Sequence, residues 1–258
     1  MEELTQSIRN QRRPKGYISS LDINLVHPRT PWVIAWWAAA FPGFGHLLLG
    51  MYLKGFILIV WEIFTNVNSN LNLAILYSFT GQFDLAINTL NKKWLLLYAP
   101  VYIASIWDSY RLTVDLNKYS ILADREKSPI IPFKISPIAM NFFDKRNPWI
   151  TTAWSALIPG LGQICTNRCF IGFFLLTWWI AIAYFSNLLE AIHFTSVGAF
   201  SQAVSVANPG WMIFLPSIYG LAVFDAYVGA VEYNKLFETE QARFLKDNYQ
   251  SSEFVMPA

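Results

Sequence analysis

The chain has 258 residues, of which 54% are apolar, 17% aromatic and only 14% charged, with a formal net charge of +2. So little charge cannot cover a soluble fold of this size, and the apolar residues come in long blocks, which predicts an integral membrane protein. The near-neutral balance, with no strongly basic domain, excludes nucleic acid as a partner.

Residues 1–28 form a polar, basic tail. Arg9, Arg12, Arg13, Lys15 and Arg29 are not followed by a short apolar core and a small-residue cleavage site, so no cleavable signal peptide is expected and the first span must itself direct insertion. The basic cluster could also hold the tail on anionic lipid.

At Thr30–Pro31 the chain offers an N-cap residue followed by proline at the first helical position, where a missing N–H costs nothing. The helix so started runs only to Phe41, roughly 16 Å against a bilayer core of about 30 Å. Pro42 then removes a helical hydrogen bond, and Gly43 and Gly45 allow a turn. A longer apolar stretch over 55–74 follows, turning polar from Asn66. An amphipathic or loop segment comes next, then a second span over 94–114 that continues into a polar helix.

The pattern then repeats. Arg29, Pro31, Trp32, Trp37, Pro42, Gly43, Gly45 and Gly55 return as Arg146, Pro148, Trp149, Trp154, Pro159, Gly160, Gly162 and Gly172, each pair 117 residues apart. "DSYRLTVDLNK" from Asp108 returns in the same register as "DAYVGAVEYNK" from Asp225. The chain therefore reads as a tandem duplication. Its plan is a tail (1–28), membrane repeat 1 (29–118), a cytoplasmic linker (119–145), membrane repeat 2 (146–235) and a C-terminal tail (236–258).

Lys and Arg gather in the N-terminal tail, after each Pro-Gly motif (Lys54, Arg168), in the linker and in the C-terminal tail. The segment 190–209 has none. The positive-inside rule then puts both termini in the cytoplasm. Tail and turn lie on one side, so the short helix does not cross; it is a re-entrant or interfacial wedge whose broken backbone must be shielded by protein. The expected fold is an all-α membrane protein of two pseudo-symmetric units, related by a pseudo-twofold, each a short wedge plus two transmembrane helices, four spans in total. Three spans per unit with an inverted repeat is the alternative.

The order "PGFGHLLLGMYLKGFILIV" followed by "SIWDSYR" resembles the two-transmembrane-helix ("TM-two") domain family. The resemblance is carried by Pro42, Gly43, Gly45, His46, Gly50, Gly55, Trp107 and Asp108. In the second copy it is carried by Pro159, Gly160, Gly162, Gly172 and Asp225, with Gln163 for His46 and Phe224 for Trp107. It covers most of each half. The chain departs from the family in being doubled, in its long loop between spans and in lacking an aromatic-arginine signature at the turn. The resemblance implies a membrane location and a compact helical pair, and no established reaction.

Few residues could carry chemistry. Glu62 lies inside a span, where an ionisable side chain is expensive: it is either a carboxyl hydrogen-bonded to a neighbouring helix or a proton or cation site. Asp108 and Asp225 recur near the cytoplasmic boundary, where they could accept backbone N–H groups of the Pro-Gly turn or pair with Lys54 and Arg168. His46 has no partner ligands in sequence, and Cys165 and Cys169 form a CxxxC pair without further ligands, so no metal or cofactor is expected. With no catalytic constellation either, the expected function is non-enzymatic: a structural or partner-recruiting component of a membrane complex, in contact with lipid and with a membrane-protein partner or its own copies. The alternative is a small transporter, channel or lipid-handling protein using Glu62 and the broken helices.

Overall fold

The computed structural model describes residues 12–126, 130, 133–137 and 139–250; Arg9, Lys127 and residues 251–258 of the C-terminal tail lie outside them. The first half runs through β1 (Gly16–Ile18), β2 (Ile23–Leu25), α1 (Pro31–Ala40), α2 (Phe44–Leu48), α3 (Tyr52–Ser69), α4 (Leu71–Phe79), α5 (Phe83–Thr89) and α6 (Lys92–Arg125). The second half returns it in register as β3 (Phe133–Ile135), β4 (Met140–Phe142), α7 (Pro148–Leu157), α8 (Leu161–Cys165), α9 (Cys169–Phe185), α10 (Leu188–Ser196) and α11 (Phe200–Val206). Where α6 is one helix, the second half has α12 (Pro209–Met212) and α13 (Phe214–Tyr249). The break precedes Pro216, which has no N–H to offer the carbonyl of Met212.

The repeat extends beyond the membrane units into the tail and the linker. β1 and β2 pair antiparallel as Gly16 to Leu25 and Ile18 to Ile23, and β3 and β4 as Phe133 to Phe142 and Ile135 to Met140, the same register 117 residues on. Their turns match as well: Ser19 and Ser136 each donate to the backbone carbonyl three residues ahead, both at 3.0 Å. The helix ends repeat too. Asn117 accepts from the Arg29 N–H and donates to the Arg29 carbonyl, and Asn234 does the same for Arg146. Each asparagine thus pins the entry of the short helix to the far end of the long one.

The wedge forms as its sequence dictates. Pro31 and Pro148 open α1 and α7; the Asn147 side chain caps the Trp149 N–H at 2.9 Å, while Thr30 makes no side-chain cap. Both helices stop at an extended residue, Phe41 or Ile158, before the Pro-Gly turn. Gly43 and Gly160 have φ of 98° and 100°, and a Cβ there would lie 2.5 and 2.2 Å from the carbonyl oxygens of Gly55 and Gly172. Only glycine permits both the conformation and the approach. Residues 41–48 are buried, so protein shields the broken backbone of the first wedge.

α3 and α9 are shorter than the stretches expected over 55–74 and 170–189. Each ends where an asparagine, Asn70 or Asn187, takes φ of 54° and turns the chain into α4 or α10. Among the described residues, the segment Pro209–Tyr249 is long and apolar enough to cross a bilayer, and α9 with α10 would pass together, although bent by 63°. α3 falls short through Lys54, Glu62, Asn66 and Asn68.

The two halves share one core, with Ile34, Trp37, Phe41, Ile59 and Ile63 packed beside Leu175, Ile182, Phe214, Ile218 and Leu221. The contacts between halves are one-sided, which corrects the expectation of a twofold. Trp37 packs on Phe224 at 5.0 Å and Phe41 on Phe214 at 5.9 Å, yet their counterparts Trp154, Trp107 and Leu97 are exposed. Phe56 stacks on Phe174 at 4.1 Å, whereas the counterparts Phe173 and Ile57 are exposed. A twofold would occupy both sets of contacts; a head-to-tail relation occupies one.

Candidate functional site

The sites rise from one acceptor per repeat. In repeat 1, α6 presents Asp108 to α2 and to the first turn of α3. His46 Nε2 lies 2.8 Å from Asp108 Oδ2, Lys54 donates to the same oxygen, and Arg111 Nη2 reaches Oδ1 at 3.1 Å. His46 is fully buried, and its Nδ1 has no hydrogen-bond partner. Lys54 and Arg111 are about half exposed, so this site opens at one edge, where Arg111 also lies over the Trp107 ring at 5.4 Å.

In repeat 2, α13 presents Asp225 to α8 and to the residue preceding α9. Arg168 grips it with two parallel hydrogen bonds of 2.7 and 3.1 Å, and both side chains are buried. Gln163 Nε2 donates to Asp225 Oδ2 at 3.1 Å and to the Ala222 carbonyl at 2.8 Å, while its Oε1 accepts from Ser155 Oγ at 2.9 Å. The guanidinium also lies 5.9 Å from the centroid of the Tyr233 ring. Proximity to Asp225 holds Arg168 protonated, well above its ordinary range, against the cost of burial.

His46 and Gln163 occupy the same place in the repeat, and each brings one N–H to the aspartate. The cations do not correspond. Lys54 aligns with Ile171 and Arg168 with Met51, so the two repeats reached the same ion pair from different positions. Among the described residues, the donors to both aspartates are side chains; the turn amides that the sequence suggested as an alternative are not used.

Sequence reasoning missed the groups that roof the second site. The β1–β2 hairpin docks there through the Tyr233 hydroxyl, which donates to the Ile23 carbonyl at 2.8 Å, and through Asn24, which donates to the Gly50 carbonyl at 3.1 Å. Burial pushes the Asp22 carboxyl up to about 6, with Arg168 opposing the shift, and burial together with nearby Arg29 pushes His27 down to about 3. A cavity of about 10 Å³, the size of one water, lies between His27, Tyr52, Arg168 and Tyr233. The strands of both hairpins have three residues each, too few to carry a periodic signal.

Glu62 sits elsewhere, buried near the middle of α3. Asn66 donates to its Oε1 at 3.4 Å, Tyr98 of α6 faces it, and its Oε2 has no partner. Asn66 and Asn72 bond each other, Asn72 donates to the Gly210 carbonyl at 2.8 Å, and these residues line a cavity of about 320 Å³ between the halves. In repeat 2 the counterpart Trp179 instead donates to the Tyr219 hydroxyl at 3.0 Å. Cys165 and Cys169 are free thiols, and among the described residues no group of three or more His, Cys, Asp or Glu is placed to hold a metal. Compared with protein-family models, curated proteins and solved structures, the chain matches none.

Proposed function

We propose that the protein is a non-enzymatic, multi-pass membrane component that acts as a rigid assembly unit. In this reading four helices cross the bilayer, at 55–74, 94–114, 170–189 and 211–231, the two short helices are re-entrant wedges, and both termini are cytoplasmic. The observation that carries it is the wedge: in each half an aspartate of the long helix ties down the short helix that follows the Pro-Gly turn, a geometry suited to holding a helix pair at a fixed angle. The belt of exposed apolar side chains, among them Trp36, Val60, Phe64, Val67 and Ile180, supports burial in lipid. The motif residues Pro42, Gly43, Gly45, His46 and Asp108, with Pro159, Gly160, Gly162 and Asp225, support a doubled TM-two-type domain.

Two measurements test this. Membranes washed at alkaline pH should retain the protein; release into the supernatant would remove the membrane reading. Purification in mild detergent should then recover a defined protein at stoichiometric level, whether another chain or further copies of this one. Recovery of a lone monomer would count against assembly.

A second reading, a small transporter or channel, is favoured by Glu62, a buried carboxyl linked through Asn66 to the cavity between the halves. Proton or cation flux in reconstituted vesicles should then be lost on Glu62→Gln with protein content unchanged. Equal flux in both proteins would rule it out.

A further inference from the structure

The head-to-tail relation of the halves leaves each with one satisfied and one unsatisfied face, and the two unsatisfied faces are copies of surfaces already in contact inside the molecule. Repeat 1 offers a knob, Trp37, that packs against a groove of α13 formed around Gly220 and Phe224. Repeat 2 carries the same knob as Trp154, exposed on α7. Repeat 1 carries the corresponding groove on α6, with Ile103 and Trp107 where repeat 2 has Gly220 and Phe224, walled by Leu96, Ala99, Pro100 and Ala104 and about 590 Å³ in volume. In repeat 2 Trp37 covers Gly220 and Phe224; in repeat 1 Ile103 and Trp107 are exposed.

The remaining contacts between the halves follow the same rule. Tyr52 and Phe56 of α3 meet Phe170 and Phe174 of α9. The counterparts that would meet next are Phe173 on one side and Leu53 and Ile57 on the other, all exposed. Asn72 of α4 meets Gly210 at the start of the last long helix pair; the next such pair would be Leu189, exposed, and Lys93.

We infer that a second copy of this chain continues the interface, its α6 groove receiving Trp154 of the first copy as α13 receives Trp37. The occupant is a second copy because the receiving surface and the knob belong to the same chain and the corresponding surfaces already meet once within it. Such a contact is heterologous: residue 154 of one copy meets residue 103 of the other, and not residue 154. This rests on the membrane assembly reading above and names its partner. Each copy keeps its internal contact, and Trp154 seats over Ile103 where Trp37 seats over Gly220.

The test is directional cross-linking in native membranes of two differently tagged full-length copies, with Cys165 and Cys169 replaced by serine. One copy carries Ile158→Cys and the other Leu97→Cys, the counterparts of the packed pair Phe41 and Phe214, so that Trp154 and Ile103 stay in place, and a short bifunctional thiol reagent joins them. A held pair has an effective concentration in the millimolar range, so the adduct should exceed by about tenfold that of an Ile158→Cys and Val60→Cys collision control. Two copies that both carry Ile158→Cys should give only the control level. A twofold pairing, with strong adduct between identical positions, would overturn the inference, and so would an adduct no greater than the control. Filling the groove with Ala104→Trp on the receiving copy should abolish the adduct while the protein remains in alkali-washed membranes. Protein lost from those membranes would instead break the membrane reading, so the two failures are distinguishable.

Discussion

The two aspartates do the same job in different surroundings. Asp225 is sealed, with a bidentate arginine, a glutamine and no exposure, whereas Asp108 has a half-exposed lysine and arginine at its edge and only a histidine on its buried side. Duplication kept the acceptor and the buried N–H donor in register and let the cation move. The acceptor is fixed because the wedge must be tied at that point, and the cation can arrive from any residue whose reach suffices. The sealed site depends on its ion pair far more than the open one, because an unpaired charge there cannot be hydrated.

The largest expected effect follows directly. Arg168→Met leaves Asp225 buried without its cation, and Asp225→Asn leaves Arg168 so; each should cost about 3–5 kcal/mol and remove most folded protein from the membrane. Asp108→Asn leaves Lys54 and Arg111 free to turn to water, and should cost about 1 kcal/mol with near-normal abundance. Fluorescence-detected size exclusion and melting of the two variants in the same detergent would check this; equal losses would mean that the sites are not distinguished by burial.

The pH response sharpens the same contrast, because two groups with shifted titration, His27 and Asp22, sit over the sealed site. His27, buried beside Glu232 and near Arg168, has the exposed Asp144 as its counterpart. Its folded pKa of about 3 lies below the ordinary 6.5, so its contribution is full above 6.5 and is lost as pH falls toward 3. The loss is about 1.4 kcal/mol per pH unit below that point. Asp22 has the opposite sign: its folded value of about 6 exceeds the ordinary 3.8, so its contribution is full below 3.8 and is lost as pH rises through 6. Between pH 3.8 and about 6 the two contributions oppose each other at equal slope, so the melting temperature of the parent protein should stay nearly level there, and His27→Asn should uncover a rise on acidification due to Asp22. A variant that stays as level as the parent would mean that His27 does not offset Asp22.

How much of this was legible in the sequence depended on the range of the signal. The duplication, the short proline-opened helices, the Pro-Gly turns and the paired aspartates were all readable, because each is set by residues at fixed short spacing. The cations at Lys54 and Arg168 were named as partners from their nearness to the turn. The hairpins in the tail and linker were not readable: three-residue strands have no periodicity to detect, and the tail hairpin docks through Tyr233 and Asn24 and the linker hairpin through Asn141, all across the fold. Nor was the one-sided relation of the halves, since matching sequences say that two units are alike and nothing about which of their faces meet. The kinks at Asn70 and Asn187 shortened both apolar helices because an asparagine can take a left-handed backbone inside an otherwise unbroken apolar block.

The smallest effect concerns the buried donor, and it explains why repeat 1 has histidine where repeat 2 has glutamine. Gln163 carries an oxygen as well as an N–H, and Ser155 supplies a donor for that oxygen. The residue corresponding to Ser155 in repeat 1 is Ala38, which supplies none. His46 avoids the problem in part, since one ring nitrogen reaches Asp108 and the other is a weaker demand than an amide oxygen in the same buried place. His46→Gln alone should therefore cost about 1 kcal/mol, the penalty of a buried acceptor without a donor. Ala38→Ser alone should also be unfavourable, since it buries a hydroxyl with only its own helix to bond. Together the two should recover most of the loss, giving a coupling of about 1 kcal/mol in a double-mutant cycle read from melting temperatures. Additive losses would mean that the two repeats hold their donors by unrelated packing and that the registered geometry around Asp108 and Asp225 has no energetic counterpart.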